Sequence, residues 1–198
     1  MDMVDVVILG AGGHARVIAD IVEAEGNKVI AFLDDDLSLT NVKGPISDYT
    51  KYQNAEFVIG IGNTEIREKL SKLPLKWHKA IHPSAIISKS ATIGEGTVIM
   101  PRVVINARTF IGEHAIINTG AIIEHDNRIG NFAHISVGVN LGGTVTIGQK
   151  SWIGIGSTVK QSITIGDDVF IGAGALVIKD INKPGTYIGV PAHLMEKK

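Results

Sequence analysis

Seven of the groups in this 198-residue chain that can carry a proton near neutral pH are histidines, and one of them, His125, stands directly beside a carboxylate, Asp126, in the segment IIEHD (122–126). An imidazole next to an acceptor that can orient its ring or raise its basicity is suited to general-base work. His134 follows nine residues later. A different chemistry is written into LGAGGHA (9–15). Gly10-x-Gly12-x-x-Ala15 fits a dinucleotide fingerprint in its alanine-ended form, whose glycines let the backbone approach phosphate at the start of a helix. Asp34, 24 residues after Gly10, falls at the end of the next strand, where a ribose or base would be read.

Composition narrows the rest. Cysteine is absent, which removes disulfides, thiolate metal sites and a cysteine nucleophile. Lys and Arg number 19 against 20 Asp and Glu, so the net charge of -1 offers no footprint for nucleic acid or an anionic membrane, and an anionic ligand must be held locally. No apolar run approaches the ~20 residues of a membrane span, and Met1 to Leu9 lacks a basic leader, so a cytoplasmic location is the default.

Two kinds of element must position these groups. Between Val4 and Ser71 strand and helix patterns alternate. VDVVIL (4–9) reads as a buried strand, AGGHA as a turn, Arg16 to Glu25 as a helix with Val17, Ile18, Ile21 and Val22 along one side, and VIAFL (29–33) as a second strand. Asp34-Asp35-Asp36 closes that strand and Gly44-Pro45 breaks the chain. FVIGI (57–61) is a third strand, and Asn63 or Thr64 caps a helix containing Ile66 and Leu70. The pattern predicts a parallel, Rossmann-like α/β half domain over 1–75, sized for one nucleotide rather than NAD.

From Ile81 the rule changes. A branched aliphatic residue recurs at every sixth position, from Ile81, Ile87 and Ile93 through to Ile165, Ile171 and Val177, seventeen times without a gap. The position four residues later is small or β-branched in most hexads, with Asn127 and Ile163 as departures. Ile-Gly pairs at 93–94, 111–112, 129–130, 147–148 and 165–166 recur every 18 residues, so three hexads make one coil. This predicts an all-β left-handed parallel β-helix over 80–182, its aliphatics stacked inward and its glycines permitting tight corners, closed by 183–198.

These hexads, joined to LGAGGHA, FLDDD (32–36), IGIGNTEIR (59–67), IMPRVVINA (99–107), IINTGAIIEHD (116–126), IGNFAHISVG (129–138) and GVPA (189–192), resemble the PglD/NeuD-like hexapeptide-repeat sugar acetyltransferases over nearly the whole chain. The resemblance implies a homotrimer that moves acetyl from acetyl-CoA, its co-substrate, to the amino group of a nucleotide-linked sugar. A UDP-linked 4-amino-dideoxy sugar is the leading acceptor; GDP-perosamine and O-acetylation of a sugar such as sialic acid are the alternatives. It assigns His125 as general base with Asp126 beside it, where near members often carry the longer Glu. It places His134, Asn118, Gly143, Ile155 and Ala173 at acetyl-CoA, and Gly12, Gly13, His14, Asp34, Asp35, Gly62 and Asn63 at the nucleotide-sugar. No metal or permanently bound cofactor is implied.

Coil arithmetic adds a constraint of its own. His125 and His134 are half a turn apart and lie on opposite sides of one prism, Gly143 stacks over His125, and Asn118 comes close to His134. Three prisms side by side then bring His125 of one subunit to face His134 and Asn118 of the next, with a backbone N–H such as that of Gly143 to polarise the thioester carbonyl. Two readings from other classes compete. One is a metalloenzyme using His114, His125 and His134, which lacks the five-residue ligand spacing of the β-helical zinc enzymes it would resemble. The other is a non-catalytic trimeric nucleotide-sugar-binding scaffold, against which the His125–Asp126 pair argues.

Overall fold

A computed structural model describes residues 3–195. Its first part is a four-stranded parallel sheet in the order β3-β2-β1-β4, formed by β1 (Asp5–Leu9), β2 (Lys28–Leu33), β3 (Val42–Gly44) and β4 (Glu56–Ile59), with helices α1 (Gly13–Ala24) and α2 (Thr64–Ser71). The central β1 is apolar and buried from Val6 to Leu9, after the exposed Asp5, because both its faces are covered there. Val6 and Ile8 pack toward α1, while Val7 and Leu9 join Leu33, Phe57 and Ile59 in a second cluster. Helix α1 begins three residues earlier than the sequence pattern suggests, with Gly12 as its N-cap, and Val17 faces solvent instead of sharing the buried side with Ile18, Ile21 and Val22. The short β3 and the 3-10 turn Ile46–Tyr52 fill a stretch in which no element was expected.

The second part is a three-sided parallel solenoid of seventeen strands, β5 (Ala80–Ile81) through β21 (Leu176–Val177). Every one of the seventeen periodic aliphatics ends one of these strands, and strands pair in register with residues 18 positions away, as Ile117 with Ile99 and Ile135. The inward column from Ile99 to Val177 is fully buried, each side chain contributing about 1.5–3 kcal/mol by leaving water.

The corners differ from expectation. From Ile93 to Ile171 the left-handed backbone position falls three residues after each aliphatic and is held by residues such as Arg102, Arg108, His114, Asp126 and Phe132 as well as by glycines. The glycines of the Ile-Gly pairs do not turn the corner. At all but the last, Gly166, glycine is required because the next coil passes close: a Cβ on Gly94 would lie 2.5 Å from the backbone of Gly112 and Glu113. The buried polar residues inside the corners hydrogen-bond between coils, as where Thr97 donates to the Gly112 carbonyl at 2.7 Å and accepts from the Ala115 N–H.

The closing segment extends the stack. β22 (Gly185–Ile188) pairs parallel with β20 (Val169–Ile171) and antiparallel with β23 (His193–Leu194). The α/β part is bolted to the solenoid, with α1 and the first coils sharing one apolar cluster. Arg67 of α2, fully buried, donates to the carbonyls of Ile59 and Ile61 on one side and of His114 and Gly96 on the other. On the opposite side of that seam His78 lies between Glu56 (2.7 Å) and Glu25 (2.9 Å), and Glu25 also accepts the Ile81 N–H. Among the described residues no helix is long and apolar enough to cross a membrane.

Candidate active site

His125 occupies the corner between β12 (Ile122–Ile123) and β13 (Arg128–Ile129). Its Nδ1 is 2.7 Å from Asp126 Oδ2. A carboxylate only accepts, so the neutral ring carries its proton on Nδ1 and presents the Nε2 lone pair. Asp126 reaches the ring although it is the shorter acid. Its carboxyl is held at about 2 by hydrogen bonds from Arg108 and His125, so it stays an acceptor at any physiological pH. Gly143 sits directly above, as the 18-residue repeat requires: a Cβ there would be 2.7 Å from His125 Nε2. The Gly143 carbonyl accepts from Ser162, while its own N–H makes no hydrogen bond among the described residues. The corner is stiffened from within by Asn127, the departure from the apolar rule, whose buried amide donates to the Glu124 and Gly142 carbonyls and accepts the Val145 N–H.

His134 lies on β14 (His134–Ile135), the face opposite that corner, so the two histidines point to different sides of the prism. Asn118 Oδ1 accepts from Thr119, which turns its amide nitrogen toward His134 Nε2 at 3.1 Å. The His134 proton is thereby placed on Nδ1, which is buried without a partner. Burial, with His14 and the Arg67 cation nearby, pushes the ring down to about 3, so it is neutral. Trp152, one coil on, packs over it at 4.2 Å between ring centroids. Beside these groups a groove of about 320 Å³ is lined by Asn118, His134, Ser136, Trp152, Ile155 and Ala173 among others. Four of the five residues expected at acetyl-CoA thus line one groove, and Gly143 stands apart from them, over His125.

The nucleotide-side residues gather around the start of α1. Gly10 takes φ +115°, the tight turn, and the space a side chain would fill at Gly12 and Gly62 is open. His14 is held down at about 4 by burial and by Arg67, and its Nε2 has no partner. Asp34 supports the glycine turn, accepting from the Ala11 N–H at 2.8 Å, and Asp35 accepts from Ile46, so both carboxylates are partly engaged by backbone instead of standing free for a ribose. Asn63 caps α2 through the Ile66 N–H. Of the remaining histidines, His114 packs edge-on to Trp77 and flat on Phe132. Among the described residues no three of His, Asp and Glu gather as a metal site.

Arg67, Arg108 and Trp152 are not singled out from sequence, and Asn127 is marked there only as a departure from the hexad rule, with no role. Arg108 and Trp152 were within reach, since each stands 18 residues from a residue already chosen, and Asn127 announced itself by breaking the repeat.

A triangular hexad stack bearing a histidine–carboxylate corner and an apolar groove defines a hexapeptide-repeat acyltransferase, and comparison with known proteins narrows this further. Residues 5–73 match the PglD N-terminal domain and residues 144–179 the bacterial transferase hexapeptide model (six repeats). The UDP-N-acetylbacillosamine N-acetyltransferase of Bacillus subtilis (strain 168) is 39% identical over 112 residues, half of this chain and 52% of that protein, so the chain spans about half the length of this curated relative. PerB from Caulobacter crescentus, solved with CoA and GDP-perosamine, superposes with a TM-score of 0.93 at 36% identity, covering 98% of this chain and 99% of that one. The acetyltransferase domain of PglB from Neisseria gonorrhoeae FA1090 gives 0.92 at 34% identity, covering 96% and 99%, and has also been solved with acetyl coenzyme A. The chain belongs to the PglD-like hexapeptide-repeat sugar acetyltransferases.

Proposed function

We propose that this chain is a cytoplasmic, homotrimeric enzyme that transfers acetyl from acetyl-CoA to the amino group of a nucleotide-linked amino sugar, with a UDP-linked 4-amino-dideoxy sugar as the leading acceptor. The observation that carries the reading is the division of the site. A base with a free Nε2 lies at one corner, and the apolar groove lined by Asn118 and His134 lies on the opposite face. A closed ring of three prisms makes these halves meet, His125 of one subunit facing Asn118 and His134 of the next.

In this arrangement Ile155, Ala173, Asn118 and His134 seat the pantetheine arm and thioester, and Gly12, Gly13, His14, Asp34, Asp35, Gly62 and Asn63 border the nucleotide-sugar. The acceptor amine attacks the thioester carbon, forming the C–N bond as its proton passes to His125 Nε2. The Gly143 N–H, free of other partners, stabilises the developing oxyanion. Collapse breaks the C–S bond, and the imidazolium returns the proton to the departing CoA sulfur. Asp126 keeps the ring oriented throughout.

The test is thiol release from acetyl-CoA measured against a panel of UDP- and GDP-linked amino sugars. Turnover with one amino-sugar nucleotide, abolished in His125→Ala with nucleotide-sugar binding retained, is the expected result. Binding without thiol release across the panel would favour the trimeric scaffold.

A further inference from the structure

We infer that Arg108 is a positioning residue for acetyl transfer: it clamps the Asp126 carboxylate in the one plane from which that group can orient His125. The inference rests on the reading of His125 as the base.

Arg108 and Asp126 hold the same corner of successive coils, 18 residues apart, and both adopt the left-handed backbone conformation, with φ of 57° and 60°. Their side chains therefore leave the stack in parallel. Arg108 Nε lies 2.6 Å from Asp126 Oδ1 and its terminal nitrogen 2.9 Å from Oδ2, a two-pronged contact that fixes the carboxylate plane as well as its position. Among the described residues the Asp126 carboxylate has no other hydrogen-bond partner except His125. Removing the fork leaves a short side chain at an exposed corner held by a single bond to the ring it is meant to steer.

The Arg108 side chain is 73% exposed, and pairs so exposed contribute little to folding. Its removal is therefore expected to leave the protein folded.

The test compares wild type, Arg108→Ala, Arg108→Lys and His125→Ala as intact oligomers. Nitrogen-15 spectra of histidine-labelled protein report the His125 tautomer without substrate, and thiol release with acetyl-CoA and the accepted sugar nucleotide reports kcat and KM. Arg108→Ala is expected to lose the dominance of the Nδ1-protonated form and to lower kcat about threefold to tenfold with KM for acetyl-CoA unchanged. Arg108→Lys should recover part of each effect. An unchanged tautomer and kcat in Arg108→Ala would overturn the inference, as would a rise in sugar-nucleotide KM alone, which would make Arg108 a substrate contact. Full activity in His125→Ala would instead remove the base on which it rests.

Discussion

Replacing Gly143 by alanine isolates the geometry of the base from the stability of the fold. The added Cβ would lie 2.7 Å from His125 Nε2 and 2.8 Å from Cε1, where ordinary contact begins at 3.4 Å, so the ring must retreat by about 0.7 Å or swing away from Asp126. Gly143 is not among the residues with positive φ, so alanine fits its backbone, and what gives way is an exposed side chain, not the stack. Misplacement of a reacting group by 1 Å costs on the order of a hundredfold, so kcat/KM should fall about tenfold to a hundredfold. The Gly143 N–H survives the change, so the loss reports the displaced base and not a missing oxyanion donor. Melting temperature should stay level or rise slightly, since alanine restricts the unfolded chain. The assay is thiol release with saturating acetyl-CoA beside a thermal melt and a measurement of acetyl-CoA affinity. Activity within threefold of wild type in a folded Gly143→Ala protein would refute the placement of His125 Nε2 beneath Gly143 as the working base.

Asn127→Ala should lower stability by about 3 kcal/mol, because it strands the Val145 N–H and the Gly142 carbonyl inside the stack, while the Glu124 carbonyl keeps the Thr109 hydroxyl; chemical denaturation will measure it, and a loss below about 1 kcal/mol would contradict that role. The seam between the two parts should respond to alkali. Burial alone would lower the His78 pKa, but hydrogen bonds to Glu25 and Glu56 outweigh it and raise the value above 6.5, so stabilisation is complete below pH 6.5 and is lost as pH climbs through the raised value. Thermal melts should show this decline in wild type and a flatter dependence above pH 6.5 in His78→Gln; identical slopes would contradict the account.

The solenoid was legible because its core has a one-dimensional rule. Each coil buries the same position against the same position of its neighbours, so a period of six in sequence fills the inside of the prism, and a separation of 18 is a direct contact. That arithmetic correctly stacked Gly143 on His125, set Asn118 against His134 and separated the two histidines. The α/β part has no such rule. The start of α1 at Gly13 follows from a glycine N-cap without a side-chain bond, which leaves no mark in the apolar pattern, and the exposure of Val17 depends on which face the sheet presents. The engagement of Asp34 by Ala11 and the burial of Arg67 beneath His114 and Gly96 are long-range contacts between segments that local patterns treat as independent. The role of glycine in the Ile-Gly pairs was misjudged for a related reason, since the constraint comes from the next coil's backbone and not from the glycine's own turn.

The central claim is that the two halves of the active site belong to different subunits, and mixing inactive subunits tests it directly. His125→Ala and His134→Ala proteins, each inactive alone, should regain activity when co-expressed and allowed to form mixed oligomers. In a randomly mixed three-membered ring about a quarter of the clefts pair an intact His125 with an intact His134, so recovery should approach a quarter of wild type. Mixed oligomers as inactive as either parent would contradict the account.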